Sequence, residues 1–367
     1  MKPKVLLLTA SYGSGHVMAA NALIEEFVKK DIRPEVIDLV LQGGHQERMV
    51  ASFYALLMRR GHAVWKLYRE KVMPIKKGEA IRKIFELLHQ TKFSKEIESI
   101  NPDVIISTMD TASVIASIYK KSHPEVHVYT VVTDYVAHPL WAWQNMDGYF
   151  VGSKLVEEFL IQHGVNKDRI HISGIPLRKQ FQTKIKKDEV RQKLEIPLDH
   201  KVVLIAAGTY KSVPVEKIIE SLSSQIYAFA IILAGKKEEN VVEYAGILKE
   251  YGVIGKVISY TDNMQDYMIA SDLYVSKAGG LTVAECLALG LPALYLNNFP
   301  GHEVGNAEYA QSLGAAINLS QISDLKPTLI ELLSDSQKLD RMSKNASKAA
   351  VADASSDIVS MVLKTQN

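Results

Sequence analysis

Residues 273–285 read Leu-Tyr-Val-Ser-Lys-Ala-Gly-Gly-Leu-Thr-Val-Ala-Glu, and this stretch decides the fold. A short β-rich run, 273–276, leads into two adjacent glycines, and apolar residues at helical spacing follow. Glycines at the end of a strand permit a tight turn and leave the first amides of the next helix free for an anion. The stretch therefore predicts one strand–turn–helix unit of a parallel α/β sheet, with a phosphate-binding turn.

Short apolar runs of the same kind recur along the chain, separated by longer segments of helical period. This alternation is typical of buried parallel sheets with crossover helices. Eleven strands are predicted in two series: 5–10, 35–40, 104–108, 127–133 and 149–151, then 202–207, 228–234, 256–260, 273–276, 293–296 and 315–319. A charged stretch without strand character, 184–201, separates the series. We expect two doubly wound α/β domains of similar size that face a cleft, with a boundary near residue 178.

Composition excludes several classes of protein. The 367 residues are 47% hydrophobic and 23% charged with a net charge of +2, which excludes a disordered chain and gives no overall attraction to nucleic acid. The single cysteine, Cys286, excludes an internal disulfide and a multi-cysteine zinc site. No window approaches the roughly 18 apolar residues of a membrane span. We expect a cytoplasmic protein whose membrane contact, if any, is peripheral.

The first predicted strand ends in a glycine-rich turn, Thr-Ala-Ser-Tyr-Gly-Ser-Gly-His at 9–16. His16 would then lie at the carboxyl end of the strand, where ligands bind in such sheets. A histidine there can act as a general base near neutral pH. A helix-capping or otherwise structural histidine is the alternative.

The fourth predicted strand ends in Thr-Asp-Tyr at 133–135, and His138 and Trp141 follow. Asp134 could orient an imidazole or a substrate hydroxyl, and Trp141 and Trp143 could offer flat faces to a sugar ring or an acyl chain. A structural aspartate beside core aromatics is the alternative.

Carboxylate and amide groups follow the double glycine of the second series. Glu285 falls in the first turns of the predicted helix, where its carboxylate could accept both hydroxyls of a ribose. The loop 299–306, Phe-Pro-Gly-His-Glu-Val-Gly-Asn, adds Glu303 and Asn306, which suit the hydroxyls of a hexose. The order and spacing of these groups favour a nucleotide-sugar site.

Residues 48–95 contain twelve Lys or Arg and three Glu, a local net charge of +9 in a nearly neutral chain. Aromatic and aliphatic residues interleave with the cations. A basic amphipathic helix pair of this kind can lie on an anionic membrane. An ordinary helical connection with solvated cations is the alternative.

Together these motifs resemble an inverting glycosyltransferase family that includes processive diacylglycerol glucosyltransferases, plant-type monogalactosyldiacylglycerol synthases and, more distantly, the N-acetylglucosaminyltransferase of peptidoglycan synthesis. The resemblance covers nearly the whole chain, including the Gly-Ile-Pro-Leu-Arg stretch at 174–178. It implies the GT-B fold of two Rossmann-like domains. Their expected ranges are 1–178 for acceptor and membrane binding, 179–345 for UDP-sugar binding, and 346–367 for a helix that returns to the first domain.

The resemblance also implies roles for individual residues. His16 becomes the general base, with Asp134 and His138 as further catalytic candidates. Contacts to the UDP-sugar are expected from Gly15, Arg178, Gly208, Thr209, Ile258, Tyr260, Ser276, Lys277, Gly279, Gly280, Leu281, Thr282, Glu285, His302, Glu303 and Asn306. Membrane and acceptor contacts are expected from Arg59, Arg60, Trp65, Lys66, Arg69 and Trp141. His302 stands where relatives often carry glutamine, so the hexose stays open between glucose and galactose.

The implied reaction is a single displacement that moves a hexose from a UDP-sugar to diacylglycerol or a glycolipid, giving a β-glycoside. We expect no cofactor and no obligatory metal, since the chain has no Asp-x-Asp motif. The expected partners are the UDP-hexose, the lipid acceptor and an anionic membrane surface on the inner face of the cell membrane, with no nucleic acid. A nonhydrolysing UDP-sugar 2-epimerase-like enzyme and a non-catalytic nucleotide-sugar-binding protein are the alternatives.

Overall fold

A computed structural model describes residues 2–11, 13–42, 92–143, 145–183, 185–208, 213–223, 228–296, 301–351 and 353–365. They form two compact units. The first unit comprises Met1–Lys179, Pro300–His302 and Val351–Asn367, and the second comprises Gln180–Phe299 and Glu303–Ala350. The predicted basic segment 48–95 lies outside the described residues, except for its last four positions.

Twelve strands are found in the described residues. They are β1 (Val5–Thr9), β2 (Glu35–Asp38), β3 (Val104–Ser107), β4 (His127–Val131), β5 (Gly148–Val151), β6 (Ile170–Ile172), β7 (Lys201–Ala206), β8 (Ala228–Gly235), β9 (Gly255–Ser259), β10 (Leu273–Ser276), β11 (Ala293–Leu296) and β12 (Ala316–Leu319). All eleven predicted strands are present. The prediction missed β6, which has three residues and lies at a sheet edge.

The described helices flank these strands. They are α1 (Ser14–Lys29), α2 (Lys92–Ile100), α3 (Asp110–Ser122), α4 (Lys154–Gln162), α5 (Lys187–Lys193), α6 (Val215–Ser221), α7 (Glu238–Glu250), α8 (Met264–Ala270), α9 (Gly280–Leu289), α10 (His302–Ser312), α11 (Leu325–Ser334), α12 (Ser336–Ala349) and α13 (Ala354–Lys364). Short 3₁₀ turns occur at Pro139–Trp141, Lys167–Arg169, Lys179–Phe181 and Ile322–Asp324. Among the helices described, none is long and apolar enough to cross a membrane.

The sheet of the first unit has the strand order β2-β1-β3-β4-β5-β6, and every pair is parallel. All residues of β1 and β3 are buried, as expected for strands that are covered by helices on both faces. The order reverses between β1 and β3, and the carboxyl ends of strands at such a switch point form the usual ligand crevice of an open α/β sheet.

The first unit also contains the C-terminal helix. Three residues of α13, Ile358, Val359 and Val362, are fully buried in one cluster with Val5 and Phe27. The hydroxyl of Ser355 donates to the carbonyl oxygen of Leu177 at 3.0 Å. The helix α13 is therefore part of the core of the first unit rather than an appended tail.

The second unit repeats this architecture. Its strand order is β12-β11-β10-β7-β8-β9, again all parallel, and it reverses between β7 and β10. The apolar residues of β7, β8, β10 and β11 fill a core that α6, α7, α11 and α12 cover. The predicted α/β class with two doubly wound sheets is confirmed.

Candidate functional site

Polar side chains gather at the switch point of the first sheet. His16 lies in the first turn of α1 after β1, Asp110 begins α3 after β3, and Asp134 and His138 follow β4. The carboxyl ends of parallel strands share one sheet edge, so these segments come together. We call His16, Asp110, Asp134 and His138 the histidine site.

Hydrogen bonds to one ring nitrogen orient His16. Its Nδ1 lies 3.0 Å from the carbonyl oxygen of Thr108 and 2.8 Å from Oγ1 of Thr133. A carbonyl oxygen only accepts, so Nδ1 carries the hydrogen in the neutral ring, and Nε2 keeps its lone pair. His16 therefore has the tautomer that a general base needs.

The electrostatics of the site act on His16 in two directions. Burial is the largest effect and lowers the pKa of His16 below its usual value, because it disfavours the imidazolium. The nearby carboxylates of Asp134 and Asp110 oppose this effect. At neutral pH the ring is therefore uncharged and able to take up a proton, and two carboxylates stand near the charge that would then form.

Asp110 is a site residue that the sequence interpretation missed. Its Oδ2 lies 3.3 Å from Nε2 of His138, and its Oδ1 accepts the backbone N–H of Thr111 at 2.6 Å. Burial also lowers the pKa of His138, and Asp110 opposes that shift most strongly. The sequence does contain a signal, because Asp110 lies two residues after the predicted strand 104–108, and Asp134 lies one residue after the predicted strand 127–133.

The two tryptophans beside this site are core residues, which corrects their predicted role. Trp141 is only 1% exposed and Trp143 only 6%. Both pack in the main hydrophobic cluster of the first unit, and the Trp141 ring lies 6.0 Å from that of His138. A ring that is covered in this way offers no face to an acyl chain or a sugar, so the alternative interpretation, core aromatics, holds here.

In the second unit, the predicted glycine turn lies between β10 and α9, at the switch point. Gly279 is the N-cap of α9, with no side-chain cap, and no acidic residue occupies the first turn. A Cβ at Gly279 would meet only Oγ1 of Thr282, at 3.6 Å. Free amides and the positive end of the helix dipole make this turn suitable for a diphosphate. Gly280 and Leu281, which begin α9, are buried.

Three acidic or basic side chains accompany the glycine turn. Glu285 is buried in the second turn of α9. Lys277, just before the turn, forms an ion pair with Oε1 of Glu303 on α10. The other carboxylate oxygen, Oε2, is buried and has no hydrogen-bond partner among the described residues. A buried acceptor without a partner is costly and is typical of a functional site, where a ligand hydroxyl can satisfy it.

Ser276 and Asn306 each bond to the backbone of this site, and their predicted donor contacts stay predictions. The Ser276 hydroxyl donates to the carbonyl oxygen of Ala206 at 2.9 Å and so ties β10 to β7. Asn306 is fully buried, and its amide donates to the carbonyl oxygen of Ala278 at 3.2 Å. Both hydrogen bonds therefore help to hold the glycine turn in place.

The remaining donor candidates are divided between the two units. Gly208, with φ of 74°, follows β7, and Ile258 and Tyr260 lie at the end of β9. The Tyr260 ring is half exposed, with Nζ of Lys236 4.6 Å above it. Gly15, Arg178 and His302 belong to the first unit and are half-buried.

Several predicted residues lie outside the described ranges: Thr209, Arg59, Arg60, Trp65, Lys66 and Arg69. Within the ranges that are described, no group of three or more His, Cys, Asp or Glu side chains is arranged to hold a metal ion.

Comparison with protein families assigns both units. Residues 16–177 match the family model for monogalactosyldiacylglycerol synthase, and residues 202–358 match the C-terminal domain of glycosyltransferase family 28. The first match includes the histidine site, and the second includes the glycine turn.

Relatives and solved structures agree with these matches. A processive diacylglycerol beta-glucosyltransferase of Bacillus subtilis (strain 168) is 26% identical over 98% of this chain and 95% of its own length. The enzyme of the same description from Bacillus cereus (strain ATCC 10987 / NRS 248) is 28% identical over 100% and 94%.

Two crystal structures illustrate the shared fold. Acinetobacter baumannii MurG has a TM-score of 0.63 at 14% identity, covering 99% of this chain and 100% of that one. Anabaena HepE in complex with UDP-glucose has a TM-score of 0.58 at 16% identity, with the same coverage. These likenesses establish the GT-B fold. Because its second unit matches the glycosyltransferase family 28 domain and its full-length relatives are described as glucosyltransferases, the chain is a glycosyltransferase.

Proposed function

We propose that this glycosyltransferase moves a hexose from a UDP-sugar to diacylglycerol or a glycolipid, with inversion at the anomeric carbon. The observation that carries the proposal is the tautomer of His16, with Nδ1 bound to the Thr108 carbonyl oxygen and Nε2 left as a base. The full-length relatives, described as processive diacylglycerol beta-glucosyltransferases, support the lipid acceptor. The name of these relatives favours glucose as the transferred sugar. The family model that matches the first unit is that of a monogalactosyldiacylglycerol synthase, so galactose is the competing sugar.

On the acceptor side, Nε2 of His16 takes the proton of the attacking hydroxyl as the new C–O bond forms. The ring of His16 is positively charged once it holds the proton, and the carboxylates of Asp134 and Asp110 stabilise that charge. The Thr133 and Thr108 contacts keep the ring oriented throughout. A single attack from the face opposite UDP inverts the anomeric centre, so an α-linked donor gives a β-glycoside.

On the donor side, the amides at the start of α9 and the helix dipole bind the diphosphate and stabilise the negative charge of the leaving UDP. Glu285 binds the ribose hydroxyls. Glu303 accepts a hydrogen bond from a hydroxyl of the hexose through Oε2, which has no partner among the described residues. The complex of HepE with UDP-glucose, a protein of the same fold, supports a nucleotide sugar as donor.

A lipid acceptor implies that the transfer takes place at a membrane surface. We propose that the protein attaches peripherally to the inner face of the cell membrane. The support is the +9 charge of residues 48–95, which would attract anionic headgroups. No metal has a role in the proposed chemistry, because helix amides take the place of a cation at the leaving group. We expect turnover to continue in EDTA.

A UDP-release assay tests the proposal. Purified protein is incubated with UDP-glucose, UDP-galactose or UDP-N-acetylglucosamine, with and without vesicles that contain diacylglycerol, and the lipids are analysed by mass and anomeric NMR. We expect UDP release that depends on the lipid, and a β-linked hexosyl-diacylglycerol. Conversion of one UDP-sugar into another without lipid would indicate an epimerase. Nucleotide-sugar binding without UDP release in any lipid mixture would indicate a binding protein.

A further inference from the structure

Asp110 contacts His138 in addition to its electrostatic effect on His16, and the proposed function does not use that contact. It is 9% exposed and begins α3 directly after the Met109 N-cap, which itself provides no side-chain cap. The N-terminus of a helix favours a negative charge, and the Thr111 amide binds Oδ1 directly. The second oxygen, Oδ2, is thereby turned toward His138, 3.3 Å from its Nε2.

The contact with Asp110 determines the state of His138. A ring nitrogen that faces a carboxylate oxygen at this distance carries a hydrogen, because two lone pairs would repel each other. Neutral His138 therefore has its hydrogen on Nε2, and its Nδ1 is an acceptor. That Nδ1 is buried and has no hydrogen-bond partner among the described residues. The buried Trp141 ring packs beside the imidazole and restricts its rotation.

We propose that Asp110 is a positioning residue of the transfer reaction, which fixes His138 with its hydrogen on Nε2 and, together with Asp134, stabilises the imidazolium that His16 forms. The inference rests on the proposed role of His16 as the base. Asp110 does not need to touch the substrate, since its effect passes through His138 and through its charge. The charged and titratable groups that face His16 are Asp134, Asp110, His138 and His302. The two carboxylates favour the charged ring of His16, and the two histidines oppose it.

The test uses Asp110→Asn in the full chain. Asparagine keeps an oxygen for the Thr111 amide and turns an N–H toward His138, which moves the ring hydrogen to Nδ1. Asp168→Asn is the matched control, since Asp168 is an exposed aspartate of the same unit and lies outside the histidine site. Nitrogen NMR of ¹⁵N-histidine-labelled protein, with His138 assigned through His138→Gln, gives the tautomer.

We expect His138 to carry its hydrogen on Nε2 in the wild type and in Asp168→Asn, and on Nδ1 in Asp110→Asn. In the lipid-dependent assay, Asp110→Asn should lower kcat roughly tenfold or more, with an unchanged KM for the UDP-sugar. The acid limb of its kcat/KM profile should move to lower pH, because the loss of a nearby negative charge lowers the pKa of His16.

Three results would overturn the inference. The first is an Nδ1–H tautomer of His138 in the wild type, a measurement that does not depend on the variant folding. The second is a tautomer change with kcat within twofold of wild type. The third is a lower kcat with neither the tautomer nor the pH limb altered, which would make Asp110 merely structural. A wild type without lipid-dependent UDP release would contradict the proposed function instead, and the tautomer measurement would still stand.

Discussion

His16 combines three properties that a general base requires: an oriented ring, an open lone pair on Nε2 and a pKa below its usual value. We expect His16→Ala to lower turnover by about 10² or more, the usual loss when a positioned base is removed. UDP affinity should be unchanged, since the glycine turn belongs to the other unit. UDP titration by calorimetry and UDP-release kinetics measure the two quantities.

The control for this variant is His163→Ala. His163 is a half-buried histidine of the same unit, and its Nδ1 lies 2.8 Å from the carbonyl oxygen of Phe159 at the end of α4. Near wild-type turnover in His16→Ala would make His16 a structural residue and would move the base to Asp134 or His138.

Glu285 provides the corresponding test for the second unit. Glu285→Ala should weaken UDP binding by about 1–3 kcal/mol, the usual cost of losing a charged hydrogen-bond partner. Glu308→Ala, an exposed glutamate on α10, is the matched control and should bind UDP as wild type does. Because Glu285 is buried, a thermal melt must first show that the variant is folded. An unchanged UDP affinity in the folded variant would remove Glu285 from the ribose site.

At the scale of elements, Gly290 ends α9, the helix that carries the glycine turn. It has φ of 62°, in the left-handed region, and its N–H caps the carbonyl oxygens of Cys286 and Leu287. A Cβ there would lie 2.3 Å from Oγ of Ser347 on α12. Gly290 therefore sets both the end of α9 and the closeness of its packing on α12.

We expect Gly290→Ala to lower the free energy of unfolding by more than the roughly 1–2 kcal/mol of left-handed backbone strain. Gly235→Ala isolates that strain, because Gly235 has φ of 78° and open space around its Cβ position. In the double variant Gly290→Ala, Ser347→Ala, the loss of unfolding free energy should be no larger than in Gly235→Ala. Urea denaturation measures all three. Equal losses in the two single variants would mean that the contact with Ser347 is unimportant.

The elements show what a sequence pattern can and cannot predict. The eleven predicted strands are apolar runs that helices cover, so their hydrophobicity is visible in the sequence. The sequence analysis missed β6 because this strand has only three residues, with His171 between two isoleucines, and no long apolar run. It lies at the edge of the sheet and pairs on one side only. Asp110 was missed although it follows a predicted strand, because only its contact with His138, 28 residues away, distinguishes it from other aspartates. The backbone hydrogen bonds of Ser276 and Asn306 were not predicted either, since they are also tertiary contacts.

At the scale of the whole molecule, the two half-buried histidines of the histidine site couple stability to pH. Burial lowers the pKa of both His16 and His138 in the folded chain, so the unfolded chain binds more protons as pH falls through about 6.5. Stability from these groups is therefore fully present above that pH and decreases below it. We expect the urea midpoint to be lower at pH 5.5 than at pH 7.5. The double variant His16→Gln, His138→Gln should show a smaller difference, whereas His163→Gln should match the wild type.

The proposed attachment to the membrane also concerns the whole molecule, and its support is the charge pattern of the sequence. Residues 48–95 carry +9, whereas the whole chain carries +2, so the remaining residues are acidic in sum. Such a distribution favours one orientation on an anionic surface, with the basic segment toward the headgroups. The contribution of each cation near the surface is about 1 kcal/mol and decreases within a Debye length.

We therefore expect the purified protein to sediment with vesicles rich in anionic lipid, much less with neutral vesicles, and less again in high salt, because salt screens the attraction. Replacing Arg59, Arg60, Lys66 and Arg69 with serine should remove most of this binding and leave UDP binding intact. The matched control replaces four exposed lysines of the second unit, Lys249, Lys326, Lys344 and Lys348, which changes the net charge equally. Equal loss in both variants would mean that net charge alone drives binding. Equal sedimentation of the wild type with neutral and anionic vesicles, or none with either, would identify the segment as an ordinary packed helix pair and leave the lipid acceptor without this support.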